Sequence, residues 1–194
     1  MSTQPKSPLT PEQYLEIERK AEYKSEYLAG EMFAMSGASR EHNVLVWTLA
    51  SILFEQLHDR QCELYPGDMR VLVAPTGLYT YPNIVGVCGI PRFRDGHADT
   101  LINPTFLAEI LSPSTEAYDR GRKFEHYRQI ESLQEYLLVA QDRMHADLFL
   151  RRSDSNWILA QADRPDDALR LRSLGCELPM ARLYQKIDFP SATS

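Results

Sequence analysis

A glutamate inside an apolar strand needs a chemical reason, and Glu109 stands in Thr105-Phe106-Leu107-Ala108-Glu109-Ile110-Leu111. Apolar runs of this kind belong to strands buried on both faces. A carboxylate there is costly unless it is paired, hydrogen-bonded or bound to a metal. Two more oxygen-bearing side chains precede it. Asp68 opens the expected strand Met69–Ala74, and Asn83 opens the expected strand Ile84–Cys88. Joined as a hairpin through Pro75-Thr76-Gly77, these strands place Asp68 opposite the neighbourhood of Val85, a residue or two from Asn83. Asp68, Asn83 and Glu109 then meet at one end of a sheet. Such an oxygen cluster suits magnesium, which keeps several waters and binds through one or two carboxylates. Plainer readings stand beside this one: Glu109 bonded to a buried arginine, Asp68 as a turn residue after Gly67, and Asn83 as a strand-entry residue after Pro82.

The elements that would hold these groups are legible in outline. Thr10-Pro11-Glu12-Gln13 carries a capping-box signature with proline at the first helical position, so a short helix runs to about Lys20. Tyr23 to Leu28 and Glu31 to Met35 read as a hairpin turning at Ala29-Gly30. From about Arg40 to His58, Val44, Leu45, Trp47, Leu49, Ile52, Leu53 and Leu57 cover a broad helical face to be packed against a sheet. Strands are expected near Cys62–Tyr65, Met69–Ala74, Ile84–Cys88, Thr105–Leu111, Glu135–Val139, Ala146–Arg151, Trp157–Gln161 and Ala168–Leu171. A second helix is expected from Tyr118 to Ile130 and a short one near Pro179–Tyr184. With no repeat and no linker, the chain reads as one mixed α+β domain over residues 10–188, with a flexible start at 1–9 and a loose tail at 189–194.

Composition bounds the function. In 194 residues, 27 are acidic and 21 are Lys or Arg, a net charge of −6. That balance excludes binding nucleic acid by overall attraction alone, because phosphate contacts need a local excess of Lys and Arg. No apolar run approaches the length of a membrane span and no signal segment is visible, so a cytoplasmic protein without a membrane partner is expected. Cys62, Cys88 and Cys176 form no metal-binding spacing and read as reduced thiols.

The chain also carries a resemblance. Tyr81-Pro82-Asn83-Ile84-Val85-Gly86-Val87, Glu109-Ile110-Leu111-Ser112-Pro113-Ser114-Thr115 and Tyr118-Asp119-Arg120-Gly121-Arg122-Lys123 with Tyr127 are similar to motifs of the Uma-type restriction endonuclease family. Gly30-Glu31, Met35-Ser36-Gly37, His42-Asn43, Asp68-Met69-Arg70-Val71 and Glu135-Tyr136-Leu137-Leu138-Val139 extend the likeness from about Thr10 to Tyr184. That family, common in cyanobacteria and other bacteria, belongs to the PD-(D/E)XK nuclease superfamily. The resemblance implies a restriction-endonuclease-like mixed sheet flanked by helices, with the N-terminal hairpin added. It also implies a magnesium- or manganese-dependent endonuclease that hydrolyses phosphodiester bonds in DNA, and, by analogy, a homodimer.

Carried over residue by residue, the family's Pro-Asp motif falls on Pro82-Asn83 and its glutamate on Glu109. The superfamily's usual lysine position falls on Leu111, and the family's lysine falls on Lys123 in the following helix. The metal set implied is Asn83, Glu109, Asp68 and Glu31. Catalysis would rest on Glu109, Lys123, Asn83 and Asp68, phosphate contacts on Arg120, Arg122 and Arg128, and support on His42 and Tyr127. Asn83 departs from the motif: its amide oxygen can ligate a cation but brings no charge. The rival reading is a catalytically inactive nuclease-fold protein that binds nucleic acid or a protein partner. Taken without the motif, Lys123 would be a solvated lysine paired with Asp119 four residues earlier.

Overall fold

The computed structural model describes residues 8–189. Helix α1 (Pro11–Glu18) starts as the capping box requires, with the Thr10 side chain accepting from the Gln13 N–H and the Gln13 side chain accepting from the Thr10 N–H. The hairpin β1 (Ser25–Leu28) and β2 (Glu31–Ala34) follows, and then α2 (Arg40–Leu57), capped by Ser39. Strands β3 (Cys62–Pro66), β4 (Arg70–Val73), β5 (Leu78–Thr80), β6 (Ile84–Cys88), β7 (Thr100–Leu101) and β8 (Phe106–Leu111) lead to a helical segment. That segment comprises α3 (Glu116–Tyr118), a π-helical turn (Asp119–Lys123) and α4 (Phe124–Tyr127). The chain closes with β9 (Glu135–Ala140), β10 (Ala146–Arg151), β11 (Trp157–Ala162), β12 (Ala168–Leu171), β13 (Cys176–Pro179) and α5 (Met180–Leu183).

The main sheet has the order β11-β10-β9-β8-β6-β3, and a second sheet the order β2-β1-β5-β4-β7. Within the main sheet only β8 and β9 pair in parallel, because the helical segment carries the chain back between them. Alternation divides β8 cleanly. Phe106, Ala108 and Ile110 face a core with α2, while Leu107, Glu109 and Leu111 face a second core beneath the other sheet. Leu9, before the expected domain start, donates its N–H to Gly30, and Phe189 packs on Tyr184 at the other end. Of the expected tail 189–194, residues 190–194 lie outside the described residues, as do residues 1–7 of the expected flexible start.

Three expectations change. The partner of β4 is β5, with Val71 opposite Thr80, whereas β6 crosses to the main sheet, where Val85 faces Tyr65. The chain does turn at Thr76-Gly77, but the strand after it ends at Thr80, three residues before Asn83. Cys62 and Cys88 are directly opposite on β3 and β6 and form a disulfide, leaving Cys176 as the free thiol among the described residues. The reduced-thiol reading therefore fails: widely spaced cysteines give no sign of a cross-strand register. Trp47 is 70% exposed and takes no part in the buried face of α2, which is built by Leu45, Leu49, Ile52, Leu53 and Leu57.

A charged network ties α1 to the loop after β6. Arg19 pairs with Asp95 at 2.9 Å and Asp99 at 2.7 Å, while buried Arg70 reaches Asp99 at 2.9 Å. The Arg19 guanidinium holds Asp95 down to about 2, and Arg19 with Arg70 holds Asp99 well below the ordinary 3.8 of an aspartate. Folded-state values below the unfolded ones give stability that is complete above about pH 4 and lost as pH falls toward about 2. Asp99→Asn should thus lower the melting temperature near neutrality and flatten its acid limb; thermal unfolding scans across that window measure both.

Candidate active site

The register Ile84↔Ala108 puts Asn83, just before β6, opposite Glu109 on β8. Two bonds tie Asn83 to β8: its N–H donates to Glu109 Oε2 at 3.2 Å, and its Oδ1 accepts from the Ile110 N–H at 2.7 Å. Glu109 is buried on the inner face of its strand. Its other oxygen, Oε1, accepts from the Tyr127 hydroxyl at 2.9 Å and from the Lys123 ammonium at 2.9 Å.

The π-helical turn explains how Lys123 arrives there. Residues four apart share a helical face. Asp119 and Lys123 both face inward, while Gly121 and Arg122 between them stay exposed. The ammonium of Lys123 sits among three carboxylates: Glu109, Glu26 of β1 at 3.2 Å and Asp119 at 3.5 Å. Further bonds hold this cluster. The Thr80 hydroxyl donates to Glu26, and the Tyr136 hydroxyl donates to the Asp119 carbonyl at 3.1 Å. His42, near the start of α2, is half-buried beside Asn83 and Asp119, with its Nδ1 buried and without a hydrogen-bond partner among the described residues.

Electrostatics follow from this geometry. Burial pushes the Glu109 carboxyl up to about 7, against the pull of Lys123. It also raises Asp119. Burial acting alone would lower Lys123, but Glu109, Glu26 and Asp119 outweigh it and hold the amine well above its ordinary value. With all groups ionised, three carboxylates face one ammonium. The cluster is short of positive charge.

Of the residues expected at the site, the fold brings together Glu109, Asn83, Lys123, Tyr127 and His42. It does not bring in Asp68 or Glu31. Asp68 is 90% exposed and pairs with Lys24 at 2.8 Å, since the hairpin that would have aimed it inward does not exist. Glu31 is exposed on β2, where it stands opposite Leu28. Arg120 is engaged by Glu116 and Asp147, whereas Arg122 and Arg128 are exposed and make no ion pair among the described residues. The carboxylate that sequence reasoning missed is Glu26. The signal was available in the alternation of Ser25-Glu26-Tyr27-Leu28, but Tyr27 also faces a core, a cluster with Tyr14 and Tyr79, and this hides which face is inward.

A mixed sheet with a parallel crossover, presenting a buried Glu–Lys pair opposite a Pro-Asn corner, has the architecture of a nuclease-like domain. A solved structure of a putative nuclease from Anabaena variabilis superposes with a TM-score of 0.76, covering 92% of this chain and 98% of that one at 19% identity. Residues 11–181 match the model of the Uma2 family, described as a putative restriction endonuclease, and the chain belongs to that family. Among relatives, the uncharacterized Synechocystis protein slr1290 is 34% identical over 93% of this chain and 94% of its own length. A second uncharacterized Synechocystis protein, sll1609, is 37% identical over 79% of this chain and 86% of its own length.

Removing the shared cation exposes its structural role. Lys123→Met leaves Glu109, Glu26 and Asp119 crowded together, and breaking a buried pair of this kind costs about 3–5 kcal/mol. The loss should be largest near pH 8 and shrink toward pH 5, where protonation of Glu109 relieves the crowding; urea unfolding at the two pH values measures it. An equal loss at both would mean that packing, not charge, holds Lys123.

Proposed function

We propose that this chain is a metal-dependent endonuclease that hydrolyses phosphodiester bonds in DNA, with Glu109 and Lys123 at its reacting centre and a cation held weakly because of Asn83. The supporting observation is the charge-deficient cluster itself. Three carboxylates converge on one ammonium, and two hard oxygens, Glu109 Oε2 and Asn83 Oδ1, each carry only one hydrogen bond among the described residues.

These donors fit magnesium or manganese in kind, since such ions accept one carboxylate, a neutral oxygen and waters. Glu109 and Asn83 would hold the ion, with Asp119 and Glu26 supplying negative field behind Lys123. When bound, the ion supplies Lewis-acid polarisation of a phosphoryl oxygen and a lowered pKa for a bound water. The remaining tasks belong to the chain. Lys123 places a fixed positive charge where negative charge grows on the phosphoryl oxygens, in a site with little water. Tyr127 fixes one oxygen of Glu109, and the Asn83 N–H fixes the other, so the carboxylate stays oriented toward its cation. One such centre serves one strand, so cutting a duplex through calls for two copies, and a homodimer fits that need.

The neutral Asn83 gives a specific observation for the second reading, a nuclease-fold protein that binds nucleic acid without cutting it. Plasmid cleavage with magnesium and with manganese separates the two when run on the native chain, Asn83→Asp and Glu109→Ala. The native chain should nick slowly, Asn83→Asp at least tenfold faster, and Glu109→Ala not at all. Melting curves give a readout independent of turnover: millimolar manganese should raise the melting temperature of Asn83→Asp more than that of the native chain, and leave Glu109→Ala unmoved. No cleavage by any of the three and no cation-dependent shift would sink the hydrolase reading.

A further inference from the structure

The main sheet ends on β11, and no strand among the described residues pairs with its outer side. Which of its backbone groups face outward follows from the ladder. The Arg151 N–H donates to the Gln134 carbonyl and the Arg152 N–H to the Asn156 carbonyl, both at 2.8 Å. Bonded pairs along β10 thus alternate between β9 and β11. Ile158, Ala160 and Ala162 bond inward to β10. Trp157, Leu159 and Gln161 turn their backbone N–H and C=O groups to the open side, where none has a partner among the described residues. The hairpin β12–β13 follows, but it pairs only with itself and packs Leu169, Leu171 and Leu178 into the core on the α2 side of the sheet.

Open edges invite unwanted pairing, and proteins blunt them with short strands, charges, proline or bulges. The other edges of the two large sheets are blunted in these ways. β3 carries Glu63 and Pro66, β2 carries Glu31, and β7 has only two residues. β11 is different. Its sequence Trp157-Ile158-Leu159-Ala160-Gln161-Ala162 contains no charge, proline or glycine. Its register with β10 runs unbroken from Trp157 to Ala162, so no bulge bends it away. Ile158 is 43% exposed and Leu159 50% exposed, on opposite faces of the strand. This edge is open for pairing.

A second copy of the same strand fits it by charge. Set antiparallel about a two-fold axis at Leu159, the outward groups of Trp157 in one copy meet those of Gln161 in the other, and Leu159 meets itself. The turn that holds Arg152 and Asp154 then comes beside residues 163–167 of the second copy. Arg152 is exposed and has only Asp154, at 3.9 Å. It meets an exit carrying Asp163, Asp166 and Asp167 against the single cation Arg164, while Asp154 meets that arginine. A parallel arrangement would instead set the two acidic exits against each other. Two-fold pairing also closes, because each copy offers one such edge among the described residues.

We propose that β11 is the interface of a homodimer, in which the β11 strands of two copies pair antiparallel and join the two main sheets into one. This gives a surface to the two copies that the nuclease reading calls for, yet it stands without that reading, since an open edge needs a partner whether or not the chain cuts. One strand pair with flanking charge contacts covers less than the roughly 1,200 Å² of a stable interface, so the dimer is weak, with a micromolar Kd.

Sedimentation equilibrium of the full chain from about 1 to about 100 μM tests it, and the native chain should pass from monomer to dimer across that range. Leu159→Lys leaves the inward ladder intact and sets two ammoniums face to face, so it should raise the Kd about tenfold or more. An unchanged urea midpoint shows that this variant still folds. Arg152→Asp should weaken the dimer, and Arg152→Asp/Asp166→Arg should restore it. Trp47→Ala/Phe54→Ala, which trims the exposed aromatics of α2, should leave the Kd unchanged. A native chain still monomeric at the top of the range overturns the proposal, as does a dimer that survives Leu159→Lys or that breaks with the α2 variant instead. Assemblies that grow past two copies overturn it too. If Leu159→Lys lowers the urea midpoint, the charge swap decides, and failure to restore the dimer overturns the proposal. The two readings fail separately: a dimer lost with Leu159→Lys, in a chain whose Asn83→Asp form never cuts, removes the hydrolase and keeps the interface.

Discussion

The buried ammonium of Lys123 is the contact on which the rest of this structure is organised. It joins a strand of one sheet, through Glu26, to a strand of the other, through Glu109, and to its own helical segment, through Asp119. None of these groups would tolerate its position alone, because an unpaired charge in a dry core costs several kcal/mol. Together they impose a geometry. The two sheets must close over each other, and the helical segment must present residues 119 and 123 on one side, as residues four apart in a helical turn do.

Asn83 shows how a corner can hold its shape without a charged side chain. An asparagine and an aspartate have nearly the same outline, and the contacts made here do not need the missing charge. The backbone N–H reaches Glu109, and the side-chain oxygen receives the Ile110 N–H. The corner between β6 and β8 is therefore as well tied with the amide as with an acid. What changes is the balance of the cluster. Glu109, already raised to about 7 by burial, has no second acid beside it at the strand end to draw in a cation. Shape and charge are separable properties of this corner, and its fold says little about its turnover.

The parts of the site legible in the sequence are those encoded locally. A carboxylate in a continuous apolar strand announces itself, so Glu109 stood out from the residues alone. Asn83, Lys123, Tyr127 and His42 came from the family motifs, and the structure gathers them around it. The parts that misled depend on pairing between distant segments. Asp68 was drawn in by assuming that β4 and β6 form a hairpin; the three-residue strand β5 between them is too short to show any periodicity, and it takes the place opposite β4. Glu31 entered through the resemblance at Gly30-Glu31, and Glu26 was missed because the register of the β1–β2 hairpin says nothing about which of its faces turns inward. The Cys62–Cys88 bond was invisible for the same reason: it is a consequence of which residues of β3 and β6 fall opposite each other.

Net charge is the property that misleads most easily in a chain like this. An excess of acids argues against nucleic acid when averaged over the surface, yet the acids are not evenly spread in their effect. Many are consumed in pairs: Asp95 and Asp99 by Arg19 and Arg70, Glu116 and Asp147 by Arg120, and Glu26, Glu109 and Asp119 by Lys123. Arginines left without a carboxylate are then worth more than the overall balance suggests, since charges within a Debye length of about 8–10 Å dominate what a ligand meets. Arg122, Arg128, Arg151 and Arg172 form such a remainder. Whether an acidic protein can hold a polyanion turns on where its unpaired cations stand.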